Sequence, residues 1–150
     1  MGLPEILIEF KAKAETAVAR SQNGILAVIL EDDTKTDDAS KSYVYRTAAD
    51  INASYWSTES RRYLNIIFSS SPSRVLVERV GTSEGYDKAL ARLKNKNWNW
   101  LAIPGLKNEK VQSIGEWIIA QRAAKRTFKA VLPCTAANYN PNNEGIVDFA

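Results

Sequence analysis

The chain has 150 residues, 45% hydrophobic and 25% charged, and its 20 Lys and Arg against 17 Asp and Glu give a formal net charge of +3. That length makes one domain, able to bury roughly two thirds of its unfolded surface with no metal or disulfide, and the composition is that of an ordinary soluble globular protein. No histidine and a single cysteine exclude Ser-His-Asp and Cys-His catalysis and a zinc site of Cys and His ligands. No apolar run approaches the roughly 18 residues of a membrane span.

The first predicted element is PEILIEFKAKA (4–14), where Ile6, Ile8, Phe10, Ala12 and Ala14 fall on one side and Glu5, Glu9, Lys11 and Lys13 on the other. Only Leu7 breaks the alternation. A period of two predicts a half-buried β-strand, yet no hairpin turn follows and so no neighbour is evident. The segment carries acidic residues early and lacks a basic stretch followed by an apolar core, so it is not a secretory signal, which implies synthesis in the cytoplasm. TAVARSQNG (16–24) is a bridge ending in glycine, and GILAVIL (24–30) is an almost unbroken apolar run, the pattern of a strand buried on both faces in the middle of an α/β sheet. EDDTKTDDAS (31–40) has paired aspartates but lacks the glycine and final glutamate of a calcium loop, and reads as a solvated turn between two strands.

SYVYRTAADI (42–51) predicts a further strand, with Tyr43, Tyr45 and Thr47 alternating against Val44 and Arg46. Ser57 or Thr58 caps a helix through ESRRYLNIIF, where Leu64, Ile67 and Phe68 form an apolar stripe. SRVLVERV (73–80) is a strand that Gly81 turns into a helix capped near Ser83, with Tyr86, Leu90 and Leu93 on one face. NWLAIPG (99–105) is the next strand, and Asn108 caps a helix that turns Val111, Ile114, Trp117 and Ile118 inward. FKAVLP (128–133) is the strand after that. Strand, helix, strand, helix, strand at these lengths implies right-handed crossovers and an α/β fold on a mainly parallel or mixed sheet flanked by helices. A new apolar alternation at Ile146, Val147 and Phe149 begins just before the sequence stops, which suggests part of a longer polypeptide.

Ligands of parallel sheets bind at the carboxyl ends of strands. The turns that would line such a site are VGTSEG (80–85) and IPGLKN (103–108), so a small-ligand or phosphate site would use Gly81 and Gly105. Neither turn matches a dinucleotide or P-loop fingerprint, and the alternative is that their glycines only make tight turns. Trp98 and Trp100 alternate with asparagines and should share a face of a strand start. Trp56 precedes a helix and Trp117 lies within one. Such aromatics stack ligands or, more commonly, fill a core or an interface. Cys134 could be a reactive thiol, but with no base beside it a structural role is favoured. Arg122, Lys125 and Arg126 at a helix C-terminus face the negative end of its dipole, a reading preferred over a nucleic-acid patch.

Taken in order, GLPEILIEF (2–10), RSQNGILAVILEDDT (20–34), VLVERVGTSEGYDKALARLKNKNWNWLAIPG (75–105), EWIIAQRAAKRTFKAVLP (116–133) and the ending EGIVDF resemble the tail sheath proteins of contractile phage tails, in particular the shorter sheath proteins of Gram-positive myophages and phage-like particles. No single stretch is a catalytic signature; the specificity lies in their number and succession. Members of that family continue for about as long again or more, into an inner sheath domain missing here. The resemblance implies a self-assembling structural subunit with no catalysis and no cofactor or metal, located in a virion tail. Its partners would be other copies of itself, the tail tube protein and the baseplate, with no nucleic acid and no membrane. It also implies that residues 1–20 are a donated strand arm and linker, with Ile6, Ile8, Phe10 and Ala12 as the subunit-interaction residues. Gln22, Asn23 and Gly24 would be the hinge, and 21–150 an α/β sheath domain.

Overall fold

A computed structural model describes residues 24–37, 41–135 and 137–148. The strand predicted at 4–14 and most of the bridge after it lie outside the described residues.

GILAVIL becomes β1 (Ile25–Glu31), which lies inside the sheet and pairs in parallel with β3 (Arg74–Val80) on one side and β4 (Trp100–Ala102) on the other. Its unbroken apolar character follows from that place: Ala27 and Ile29 enter one core cluster and Val28 and Leu30 the other, so neither face can carry a polar residue. β5 (Lys129–Leu132) and β6 (Ile146–Asp148) extend the sheet in parallel beyond β4, and β2 (Ser42–Tyr45) closes the opposite edge antiparallel to β3. The order is β2-β3-β1-β4-β5-β6. The fold is therefore α/β on a mixed sheet, as the alternation of elements implied.

Helix α1 (Thr58–Ser69) covers one face, burying Leu64 with Ile67 and Phe68 beside it, and packs with Trp56 and Tyr45. Helices α2 (Asp87–Lys94) and α3 (Asn108–Ala123) cover the other, through Leu90 and Leu93 and through Val111, Ile114 and Ile118. Each large side chain so buried contributes about 1.5–3 kcal/mol of transfer free energy. Because each helix precedes a strand that runs parallel to β1, all three helices start at the carboxyl end of the parallel strands and finish at the amino end.

Several local predictions are corrected. The strand over 42–51 stops at Tyr45, because the Asp50 carboxylate accepts hydrogen bonds from the Arg46 and Thr47 N–H groups at 2.9 Å and winds Ala48–Asp50 into a 3₁₀ turn. The helix expected to be capped near Ser83 starts at Asp87, since residues 81–84 close their own turn: Glu84 N–H donates to the Gly81 carbonyl and Gly81 N–H to the Glu84 carboxylate. Asn108 is the first helical residue of α3 rather than its cap; Lys107 holds the cap position and makes no side-chain cap bond. Ser57 does cap α1, its Oγ accepting from Ser60 N–H at 3.1 Å.

Trp98 and Trp100 do not share a face. Trp98 lies before β4, buried with Phe128 stacked 3.8 Å away, whereas Trp100 is in register with Leu26 on the opposite side from Leu101.

Candidate functional site

The carboxyl end of the sheet gathers the turns singled out from the sequence. Asp32, at the end of β1, is 4% exposed. Its carboxylate accepts from Ser57 N–H at 2.9 Å, Ser60 Oγ–H at 2.5 Å and Thr34 N–H at 2.9 Å. Burial alone would push this carboxyl up, but those hydrogen bonds outweigh it and hold it well below the usual carboxylate range. The acidic loop is thus not simply a solvated turn: one of its aspartates is buried and fastens the start of α1 to the end of β1.

Around it, Tyr86 donates its hydroxyl proton to Glu31, and Asp33 accepts from Thr82 N–H at 3.2 Å and Thr82 Oγ1–H at 2.5 Å. Burial and the Glu31 carboxylate push the Tyr86 hydroxyl far up. A cavity of about 230 Å³ opens among Glu31, Ser57, Glu59, Tyr63, Thr82 and Gly105. It lies at the carboxyl end of β1, where the strand order reverses because the crossover from β3 returns past β1 to β4, the position at which open α/β sheets bind ligands. Its chemistry does not suit phosphate. The Gly81 and Thr82 N–H groups, the donors such a turn would offer, already bond to Glu84 and Asp33, and Glu31 and Glu59 add negative charge to the walls. The cavity suits a cationic group.

Arg79 was not singled out from the sequence, although a charged pair inside SRVLVERV was the signal for it. It is 3% exposed, lies 4.3 Å from the Trp56 ring and 5.2 Å from that of Tyr43, and donates to the Lys35 carbonyl at 2.8 Å and to the Tyr55 carbonyl. It ties the acidic loop to the segment leading into α1. Its neighbour Glu78 is wholly buried on the other face, taking Arg92 at 2.5 Å, Lys96 at 2.7 Å and the Ser42 hydroxyl at 2.7 Å.

The amino end of the sheet is built differently. A second cavity, of about 260 Å³, lies among Ile25, Trp98, Asn99, Lys125, Arg126 and Phe128. Trp98, Trp117 and Phe128 stack nearly parallel beside it, and Arg126 lies 5.8 Å from the Phe128 ring. These rings fill the core, as the commoner reading of the tryptophans had it. Gly24, the one hinge residue among those described, has φ +75°; its carbonyl accepts from Ser73 N–H at 3.0 Å, and a Cβ there would come within 2.9 Å of Asn99 Oδ1. Ile6, Ile8, Phe10, Ala12, Gln22 and Asn23 lie outside the described residues.

Arg122 is bound within the fold, to Glu144 and to the Phe128 carbonyl at 3.3 Å. Cys134 is buried and unpaired, with burial and then Asp148 pushing its thiol up, the setting of a structural cysteine. Among the described residues no helix is long and apolar enough to cross a membrane.

No family model matches the chain. It is similar to a tail sheath protein of Clostridium phage phiCD119, at 30% identity over 157 aligned positions that cover 99% of this chain and 41% of the relative. The chain thus spans about two fifths of the length of the relative it matches. That match runs through the stretches that carried the resemblance, and it supports placing the chain with the phage tail sheath proteins.

Proposed function

We propose that the chain is part of a structural subunit of a contractile phage tail sheath, which assembles with copies of itself around a tail tube, meets the baseplate at one end and rearranges on contraction without catalysing a reaction. The single observation that carries this reading is the end-to-end match to a tail sheath protein. Its place is then a virion tail or phage-like particle, with synthesis in the cytoplasm of a bacterial host. Within it, residues 1–20 serve as a strand arm and linker, and 21–150 as an α/β domain of a longer protein.

The arm works by strand addition to another copy. Main-chain hydrogen bonds supply affinity and alternate side chains enter pockets, with Ile6, Ile8 and Phe10 each contributing about 1.5–3 kcal/mol before ordering costs. Gln22 and Asn23 absorb rotation of the body, and Gly24, tied to Ser73 at the start of β3, is the fixed end of the hinge. Negative-stain microscopy of the full-length protein tests this: rings or tubes are expected, and deletion of residues 1–14 should abolish them. Tubes formed equally well by the deletion would overturn the arm.

A ligand-binding reading through Gly81 and Gly105 is supported by the cavity near them, but with its turn donors taken by carboxylates it would accept a cation rather than a phosphate.

A further inference from the structure

We infer that residues 3–18 lie as an amphipathic helix over an uncovered half of the chain's own sheet before assembly, and that the same residues are handed on as a strand when the subunit joins another copy. The hand-over rests on the sheath reading; the docking does not.

The two faces of the sheet are unequally covered. On one face, α2 and α3 reach from β3 across to β5 and β6, their cluster taking in Leu76, Leu101 and Leu132, with Ile146 at its margin. On the other, α1 packs over β2, β3 and β1, and its cluster ends at Val28 and Leu30, with Leu26 beside them. Beyond β1 that face is carried by one row of paired residues, Val28, Ala102, Val131 and Val147, and by a second in which Leu26 pairs with Trp100 and Trp100 with Lys129. Trp100, Ala102 and Val131 are half-buried and Val147 is 42% exposed; among the described residues none of the four joins either core cluster. β4, β5 and β6 run parallel, and parallel strands are found with both faces covered. A contiguous apolar patch left open on such a sheet marks a missing partner.

The segment before Gly24 is placed and patterned to supply that partner. Gly24 packs against Asn99, whose Oδ1 accepts from Ile25 N–H at 2.7 Å, so the preceding chain joins the body one residue from Trp100. From β1 the far strand β6 is three strand spacings away, about 14 Å, which about five extended residues cross. A segment lying on a sheet face, away from its edges, gains no ladder bonds and must satisfy its own N–H and C=O groups, as a helix does. Read at helical period, Leu3, Leu7, Phe10, Ala14 and Ala17 fall on one side and Glu5, Glu9, Lys13 and Thr16 on the opposite one. Ala12, Ala14, Ala17 and Ala19 among Glu and Lys favour that conformation, and Pro4 stands in its first turn, where a missing N–H costs nothing.

The same residues carry the alternation of Ile6, Ile8 and Phe10 that suits an added strand, so the segment has an apolar side in either conformation, and Phe10 belongs to both. What it meets then decides the conformation. On a sheet face, a helix about 10 Å wide covers the two spacings from β4 to β6; at a sheet edge, a strand gains main-chain bonds. Whatever holds the segment on its own sheet is subtracted from what a neighbour gains, so a segment used in both ways is held weakly in the first. A free subunit thereby shields its apolar half-sheet from chance association.

Acrylamide quenching of Trp100, isolated as the difference between each protein and its Trp100→Phe counterpart, tests the docking together with far-ultraviolet circular dichroism. Removing residues 1–20 should raise the quenching of Trp100 severalfold and lose the ellipticity of one helix. Leu7→Glu and Ile8→Glu separate the two conformations, since Leu7 lies on the apolar side of the helix and off that of the strand, and Ile8 the reverse. Leu7→Glu should expose Trp100 and leave the tubes of the full-length protein intact, whereas Ile8→Glu should keep Trp100 shielded and abolish the tubes. Trp100 quenched equally with and without residues 1–20, or exposed by Ile8→Glu and not by Leu7→Glu, overturns the docking and leaves the sheath reading standing. Shielding that fades on dilution assigns the cover to another copy and overturns the docking as well. The sheath reading falls only if the full-length protein forms no rings or tubes.

Discussion

Asp32 stands where β1 hands the chain on towards α1, and its carboxylate takes three hydrogen bonds that would otherwise leave helix and loop donors without partners in a buried place. A neighbour two positions along, Thr34, is exposed, and nothing in the pattern EDDT marks which aspartate turns inward; the choice depends on Ser57 and Ser60, more than 20 residues away. The residue therefore reads as loop in sequence and as a cap in structure. Because its carboxyl is held below the ordinary value near 4, its contribution to stability is present in full above that value and is lost as pH falls below it towards the folded-state value. Asp32→Asn keeps the shape, loses the charge and sets an amide against the Ser60 hydroxyl. It should lower unfolding free energy at pH 7 by about 2 kcal/mol and flatten the loss of stability between about pH 5 and 3. Urea melts of both proteins across that range check it, and parallel pH profiles would show that Asp32 is not the group responsible.

Elements marked by a continuous apolar pattern are legible in the sequence, and boundaries set by individual hydrogen bonds are not. β1, β3 and the inward faces of all three helices follow from apolar period alone. The end of β2 and the start of α2 depend on local hydrogen bonds that hydrophobic period does not register, such as that from Arg46 N–H to the Asp50 carboxylate, and α3 starts without a side-chain cap bond at Lys107. Equally hidden is how the thirteen residues between β5 and β6 are fixed. Tyr139 lies so close over Gly115 of α3 that a Cβ there would fall 2.2 Å from its ring, and Arg122 of the same helix holds Glu144. Glycine inside a helix costs about 1 kcal/mol relative to alanine, so propensity alone makes Gly115→Ala stabilising. The contact argues the reverse, since an aromatic ring wedged between a helix and its own loop has to shift bodily. Gly115→Ala should destabilise the domain by about 1–3 kcal/mol net, with Gly115→Ala/Tyr139→Ala recovering part of the loss. Thermal melts of the two variants decide it, and a single variant more stable than wild type would mean that Tyr139 does not pack there.

At the scale of the whole molecule, the described core falls into two clusters, one on each face of the sheet. One cluster is closed by Trp56, whose indole N–H donates to the Tyr45 hydroxyl at 2.9 Å, and the other by the stack of Trp98, Phe128 and Trp117. The alternation of Ile6, Ile8 and Phe10 predicts a strand because side-chain period is a local property, but it names no neighbour, because a pairing partner, in this molecule or another, leaves no mark on the spacing within the segment. If the arm belongs to assembly and not to the fold, removing residues 1–20 should leave the melting temperature within about 3 °C of the parent, no more than the shift of roughly a 1 kcal/mol loss in a domain of this size. The near-ultraviolet circular dichroism of the stacked Trp98 should also persist, while tube formation by the full-length protein carrying the same deletion disappears. A broadened or lost cooperative transition would instead make the arm part of the domain's own sheet, and Gly24, held by Ser73 and packed against Asn99, would then be a bend between two strands of one body rather than the fixed end of a hinge.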